Sequence, residues 1–221
     1  GSYSYGYNEY IASLSGPFYP GMKHTFFFSG TRIWARDHTP SWGWAENKNK
    51  PGRFKAGVVP ANSDDKWSFN GKINLQLKNN IILKLSGVWT DRVYAASGDW
   101  STMSTIWLFN TQHAPEYLTQ HGSLNATLTH TINPTTYYDL KANYFYTFRE
   151  NYDRFFGDDL MKYGDPRYNP LSDDSTNFGE AYLSRIEPDF FAPGAQFDDY
   201  FRNKTTYWGV DFDIVHQHGK H

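Results

Sequence analysis

The sequence predicts an all-β fold: a fragment of an antiparallel transmembrane β-barrel with about seven long strands. Apolar and polar residues alternate with a period of two over stretches as long as membrane-crossing strands. Short turn sequences and long connections also alternate along the chain, as they do in membrane barrels. Aromatic residues make up 19% of the chain although its mean hydropathy is −0.70. A barrel with a wet lumen and aromatic girdles has this combination.

Residues 66–91 predict the clearest hairpin. Apolar and polar side chains alternate on both sides of Asn79-Asn80, a pair that favours a turn. A period of two places Lys72, Asn74 and Gln76 on one face of the sheet. The apolar positions are predicted to share the other, outward face; they are Phe69, Ile73, Leu75, Leu77, Leu83, Leu85 and Trp89.

The same pattern recurs along the chain. It predicts strands at about 8–16, 24–34, 67–78, 81–92, 121–132, 136–148 and 204–217. Short turns are predicted at 17–23, 79–80, 133–135 and 218–219, and long segments at 35–66, 93–120 and 149–203. We therefore expect the short turns at one end of the sheet and three long loops at the other. Residues 102–108 or 114–120 are predicted to form a short helix within the second long loop.

Composition excludes several classes. The chain has 21 basic and 23 acidic residues, so nothing indicates a nucleic-acid partner. Cysteine is absent, which excludes disulfides and cysteine metal sites. No apolar run reaches the roughly 18 residues of a membrane helix. The first residues have neither the basic nor the apolar region of a signal peptide.

A soluble, aromatic-rich, carbohydrate-binding β-sandwich is the main alternative, because its strands alternate in the same way. Long strands, unequal connections and aromatic residues near strand ends favour the membrane barrel. Those aromatic residues are Trp34, Trp67, Trp89, Tyr138, Tyr207 and Trp208. The face carrying Asn74, Gln76, Asn125 and Thr127 would line the lumen of a barrel but form the outer surface of a sandwich.

The sequence contains no motif that predicts an enzyme, a catalytic residue, a metal site or a cofactor. The acid pairs at 64–65, 158–159, 173–174 and 198–199 are compatible with calcium but are predicted to be solvated loop acids. His216 and His218 are predicted to lie at a turn, and Glu150 with Asp153 is not singled out as a glycosidase pair. Four loop tryptophans are candidates for stacking on a ligand: Trp42, Trp44, Trp100 and Trp107.

Three segments carry a family resemblance. Residues 13–17 (SLSGP) and 23–30 (KHTFFFSG) resemble an early barrel hairpin of TonB-dependent receptors, with Ser15 in place of the family's first glycine. Residues 130–138 (HTINPTTYY) resemble a later hairpin of that family, and residues 208–220 another strand and turn. The chain looks most similar to the large type with a carboxypeptidase-regulatory-like domain before the plug.

The resemblance implies a bacterial outer-membrane nutrient uptake receptor. Residues 1–221 would then be one partial barrel, with the plug domain, the signal peptide and the closing carboxy-terminal strand outside this chain. Outer-membrane lipid would surround the barrel, and a TonB-type energy-coupling protein would act through the missing plug. The small nutrient ligand is not indicated by any motif.

Overall fold

The computed structural model describes residues 6–37, 57–95, 114–163 and 200–219, together with the backbone of two short strands between residues 38 and 56. This part of the chain contains nine strands and no helix. They are β1 (Asn8–Pro17), β2 (Thr25–Ala35), β3 (Trp44–Ala45), β4 (Phe54–Lys55), β5 (Asp64–Lys78), β6 (Ile81–Ala95), β7 (Pro115–Asn133), β8 (Thr136–Asp153) and β9 (Phe201–His216). Accordingly, no described helix is long and apolar enough to span a membrane.

Seven of the strands form one antiparallel sheet in the order β1-β2-β5-β6-β7-β8-β9, and β3 pairs with β4 separately. Each strand of the large sheet lies beside its neighbour in this series, and the sheet is not closed. The predicted all-β fold with seven long antiparallel strands is therefore confirmed. Closure into a barrel stays a prediction.

The short turns lie together at one end of the sheet, which we call the turn end. The backbone N–H of Thr131 donates to the carbonyl of Asn80 (2.9 Å), and that of Gln217 donates to the carbonyl of Thr135 (2.8 Å). Because all neighbouring strands are antiparallel, the connections after β2, β6 and β8 leave from the opposite end, the loop end. The predicted separation of short turns from long connections is confirmed.

The strands extend further toward the loop end than the sequence predicts. β7 begins at Pro115 and β8 ends at Asp153, so the helix predicted at 114–120 is wrong, and the alternative at 102–108 lies outside the described residues. Glu116 pairs with Ala95, and the rings of Tyr94 and Tyr117 stack 5.1 Å apart across β6 and β7. Cross-strand pairing thus continues where the alternation of apolar residues has ended.

The register separates the sheet into two faces. Phe69 pairs with Trp89, and Ile73 with Leu85, so these residues point to the same side. Leu75 and Leu83 join them, whereas Leu77 lies at a β-bulge between Gln76 and Lys78 and has no partner. Lys72, Asn74 and Gln76 pair with Ser86, Lys84 and Ile82 on the opposite side. The predicted common face is confirmed for the paired positions, and its outward direction stays a prediction because the sheet is open.

We call the first side the apolar face and the second the polar face. On β7, β8 and β9 the apolar face is formed by Leu124, Ala126, Leu128, Tyr138, Leu140, Ala142, Tyr144, Tyr146, Trp208, Val210, Phe212 and Ile214. The polar face carries Asn125, Thr127, Lys141, Asn143, Asp211 and Asp213 at the alternating positions.

The described residues contain only a small buried core. The buried apolar side chains are Ala35, Val59, Ala95, Ala114 and Phe156, all from the loop end. On the apolar face, by contrast, Leu124 is 63% and Trp208 77% exposed. The largest apolar surface of the sheet therefore lies open.

Candidate functional site

The four tryptophans predicted as ligand contacts lie outside the described residues. Trp42, Trp100 and Trp107 are not described, and only the backbone of Trp44 is, in β3. Their role in ligand binding stays a prediction.

An open trough of about 1100 Å³ lies on the apolar face at mid-height. It runs from β2 across β5, β6, β7 and β8 to β9, and its surface is almost entirely apolar. Residues that line it include Phe28, Leu85, Leu124, Ala142, Tyr144 and Val210. Its volume is slightly above the usual range for small-molecule pockets, roughly 300–1,000 Å³.

At the floor of this trough, side chains lie flat over glycines of the neighbouring strand. A β-carbon on Gly122 would lie 2.6 Å from the Trp89 ring, and one on Gly87 would lie 2.7 Å from Leu124. Both distances are shorter than a normal carbon–carbon contact. Trp89 and Leu124 therefore occupy the space of the missing side chains, and the trough has a smooth, continuous floor.

An aromatic row bounds the trough toward the loop end. Trp89 stacks on Tyr146 with ring centroids 5.5 Å apart, and Phe69 stacks on both Trp67 (5.9 Å) and Phe28 (6.1 Å). Such offset pairs add about 0.5–1.5 kcal/mol each beyond area burial. Phe69, Trp89 and Tyr146 lie at one level of β5, β6 and β8, whereas Trp67 lies two residues nearer the loop end and Phe28 of β2 two residues nearer the turn end.

Two aromatic residues predicted near strand ends lie elsewhere. Trp208 pairs with Tyr144 in the middle of β9, because β9 begins earlier than predicted, at Phe201. Tyr207 lies on the polar face opposite Phe145. These two positions in the predicted aromatic belt are wrong, whereas Trp67 and Trp89 do lie near the loop end of their strands.

Charged residues form the next layer beyond the aromatic row. On the apolar face Arg32 makes a bidentate ion pair with Asp65 (3.1 and 2.8 Å) and lies over the Trp67 ring at 4.8 Å. On the polar face Arg92 makes the equivalent pair with Asp64 (2.9 and 2.7 Å). Asp64 and Asp65 are thus strand residues and not the solvated loop acids predicted.

Lys204 belongs to the same charged layer on β9. Its ammonium lies 5.7 Å from the centre of the Tyr146 ring. Among the described residues no carboxylate lies within ion-pair distance of it, unlike Arg202, which contacts Glu150 at 2.6 Å. Lys204 is therefore a solvent-exposed cation at the upper border of the trough.

A polar cluster joins the two ends of the third long connection, and we call it the rim cluster. Glu150, only 7% exposed, accepts hydrogen bonds from the Tyr200 hydroxyl (2.6 Å) and the Arg202 guanidinium (2.6 and 3.0 Å). Buried Asp153 accepts from the backbone N–H groups of Phe155 (2.7 Å) and Phe156 (3.0 Å) and caps the turn after β8.

Tyr163 completes the rim cluster. Its hydroxyl donates to the Gly157 carbonyl (2.7 Å) and accepts from the backbone N–H of Asp153 (2.8 Å), and its ring lies against Tyr200. Burial, with smaller contributions from nearby charges, raises the pKa of Tyr163 to about 12. Burial and then the bond to Glu150 also raise the pKa of Tyr200.

The geometry favours structural roles for the acids considered as candidates. Glu150 and Asp153 are both occupied within the rim cluster. Asp64 and Asp65, as consecutive strand residues, point to opposite faces and cannot converge on one ion. Asp159 pairs with Lys162 (3.1 Å), and the pairs at 173–174 and 198–199 lie outside the described residues.

The histidine pair forms no metal site in the described part of the chain. The His216 and His218 rings are 6.3 Å apart, and His216 Nδ1 contacts the Thr136 hydroxyl at 2.7 Å. No group of three or more potential ligands converges within the residues that the structure describes.

The polar face carries a cross-strand network. Lys141 pairs with Asp213 (2.5 Å), and Asn143 donates to Asp211 (3.3 Å) between β8 and β9. Toward the turn end Asn74 donates to Thr25 (3.0 Å). These exposed or half-exposed groups are suited to contact with water.

Comparison with known proteins adds no relative: no protein-family model, curated protein or solved structure matches the chain.

Proposed function

We propose that this sheet is part of the wall of an outer-membrane β-barrel, with its apolar face toward lipid and its polar face toward a water-filled lumen. One observation carries the proposal. The apolar face has an apolar band, then an aromatic row, then a charged layer, as a membrane-spanning surface requires. The opposite face carries charged and amide side chains over the same height, among them Lys72, Asn125 and Lys141, together with a few apolar ones such as Val88 and Phe145.

The height of the apolar band agrees with this proposal. On β8 it runs from Tyr138 to Tyr146, eight residues apart, so it is roughly 27 Å long along the strand. At the usual strand tilt of roughly 40° it covers about 20 Å of membrane thickness. The apolar band of outer-membrane barrels is about 25 Å tall.

Exposure supports the same orientation. In water, a contiguous apolar surface that includes Leu124 and Trp208 would favour aggregation. In a membrane the same surface would contact the hydrocarbon chains of the lipids and would not be exposed to water. The open edges of β1 and β9 would pair with further strands, because unpaired backbone groups in hydrocarbon cost several kcal/mol each.

The function follows from the resemblance to TonB-dependent receptors. We propose that the barrel takes up a scarce small nutrient with energy from a TonB-type partner that acts through a plug domain outside these residues. The three long connections leave from one end of the sheet, where an outer ligand would be met. Trp42, Trp44, Trp100 and Trp107 belong to those connections and are the proposed ligand contacts.

Spin labels on adjacent residues of β7 test the orientation of the sheet. The chain has no cysteine, so a single introduced cysteine carries the only label. In membranes, a nitroxide at Leu124→Cys should be accessible to oxygen, which concentrates in lipid, and shielded from a water-soluble nickel complex. At Asn125→Cys, the matched control on the polar face, the accessibilities should be reversed.

The soluble sandwich gives a different outcome in the same experiment. A second layer would then cover the apolar face, and the label at Leu124→Cys would be shielded from both reagents. Within the described residues the large sheet has no second sheet of comparable size. Equal nickel accessibility at both positions would also refute the proposed orientation.

Expression of residues 1–221 alone gives an independent test. The open edges and exposed apolar face should direct the chain to inclusion bodies, and detergent should not yield a heat-modifiable closed barrel. A monodisperse monomer that melts cooperatively in plain buffer would refute the proposed membrane barrel and favour the soluble β-sandwich.

A further inference from the structure

We propose that the trough on the apolar face is a binding site for an anionic, acylated lipid whose phosphate lies at Lys204. This inference rests on the proposed function, because it requires the apolar face to be in contact with a membrane. The observations that carry it are the shape of the trough and the position of one cation.

The trough has the form that an acyl chain requires. Its surface is almost entirely apolar, and its smooth floor is made by side chains lying on Gly87 and Gly122. An acyl chain in a groove keeps contact with protein on several sides, whereas on a ridged surface it touches only the ridges. A groove of this kind can therefore hold one lipid longer than the remaining lipid-facing surface does.

Lys204 places a positive charge at the level where lipid headgroups would lie. It lies beyond the aromatic row, where headgroups meet a membrane protein, and its ammonium is above Tyr146, which lines the trough. On the same face of β9 the apolar positions Trp208 and Val210 follow toward the membrane interior. Trp208 is about 14 Å along the strand from Lys204, which at a strand tilt of roughly 40° is about 10 Å deeper in the membrane.

The surrounding charges do not cancel this cation. Arg202 is engaged by Glu150, and Arg32 by Asp65, so these pairs are locally neutral. Lys204 has no carboxylate partner among the described residues. A phosphate headgroup would be its complement, whereas a neutral headgroup would gain little.

Brominated lipids provide the test, since bromine quenches tryptophan at short range and Trp89 and Trp208 both line the trough. The complete receptor that carries this sheet is reconstituted in phosphatidylcholine vesicles that contain a small fraction of brominated phosphatidylglycerol or, for comparison, brominated phosphatidylcholine with the same chains. The anionic lipid should bind roughly five-fold more tightly, as expected for one lysine near a headgroup. Added salt should reduce this preference.

Two pairs of variants locate the site. Lys204→Gln should remove the preference, and Lys84→Gln, on the polar face, should keep it. Gly71→Leu should fill the trough and weaken quenching by both lipids, because a β-carbon there meets only ordinary contacts. Thr127→Leu, on the polar face and outside the lining of the trough, should leave quenching unchanged.

Failure of this inference is distinguishable from failure of the proposed function. Resistance to alkaline extraction reports membrane insertion independently of lipid preference. If the protein is inserted but both lipids quench it equally, only the lipid site is overturned. The same holds if Lys204→Gln and Lys84→Gln lose the preference for the anionic lipid to the same extent. Tryptophans that neither lipid quenches in an inserted protein would show that a second copy covers the trough, which also overturns it. A protein that is fully extracted overturns both proposals.

Discussion

Adding one methyl group to Gly122 tests whether the flat packing of Trp89 stabilises the sheet. The new β-carbon would lie 2.6 and 2.8 Å from two ring atoms of Trp89, so the ring has to move. Movement would weaken its stacking on Tyr146, worth about 0.5–1.5 kcal/mol. With the strain of overpacking, Gly122→Ala should lower the free energy of unfolding by about 1–3 kcal/mol.

Gly71→Ala is the matched control on the same face. Its β-carbon would meet only ordinary contacts at 3.9 Å, so the substitution should be neutral or stabilise by about 0.4–1 kcal/mol through the unfolded state. In a Trp89→Ala background the ring is absent, and Gly122→Ala should then lose most of its cost.

Urea titration in lipid vesicles, followed by the heat-modifiable gel band, measures these stabilities without relying on tryptophan fluorescence. The titration uses the complete receptor that carries this sheet. Equal effects of Gly122→Ala and Gly71→Ala would refute the packing argument. So would a cost of Gly122→Ala that persists in the Trp89→Ala background.

Three further predictions concern the loop end. Asp37→Ala should cost about 2–3 kcal/mol in a urea titration, because the buried carboxylate accepts from the backbone of Val59 (3.0 Å) and the Asn62 amide (2.6 Å); an unchanged midpoint would contradict this. Glu150→Gln should speed amide hydrogen exchange in the first residues of β9 several-fold. Unchanged exchange would exclude a role for the rim cluster in holding the connection between β8 and β9. The raised pKa of Tyr163 implies a contribution to stability that is complete below pH 10 and lost toward about pH 12. Because the pKa of Tyr200 is also raised, Tyr163→Phe should reduce this loss in pH-dependent proteolysis but not remove it. An unaltered profile would assign the loss to other groups.

The middle of the sheet could be predicted from the sequence because most of its apolar side chains lie on one face, which produces a period of two along each strand. Phe69, Ile73 and Leu75 alternate with polar residues, and the register confirms their common side. The outer ends of β7 and β8 could not be predicted in this way. Beyond the aromatic row both faces carry polar and apolar side chains, such as Leu118 on one and Tyr117 on the other, so residues 115–120 alternate no longer although they remain paired.

The ion pairs at the loop end could not be predicted from the sequence for a different reason. Glu150 and Arg202 are far apart in sequence, and no local pattern indicates that they meet. Asp64 and Asp65 were predicted as solvated acids because their arginines come from two other strands. The loop tryptophans remain a prediction from composition and position alone.

The two arginine pairs at the start of β5 have a consequence for how the strands come together. Arg32 binds Asp65 on one face and Arg92 binds Asp64 on the other, so β5 is held from both sides by different neighbours. A slip of one residue would turn each carboxylate to the other face, and only one of the two could then still meet an arginine, because Asp64 and Asp65 are adjacent. A slip of two residues would restore the faces but shift both carboxylates by about 7 Å, beyond ion-pair distance. A slip of β5 would therefore lose at least one of the two ion pairs, and this loss favours the observed register over its neighbours.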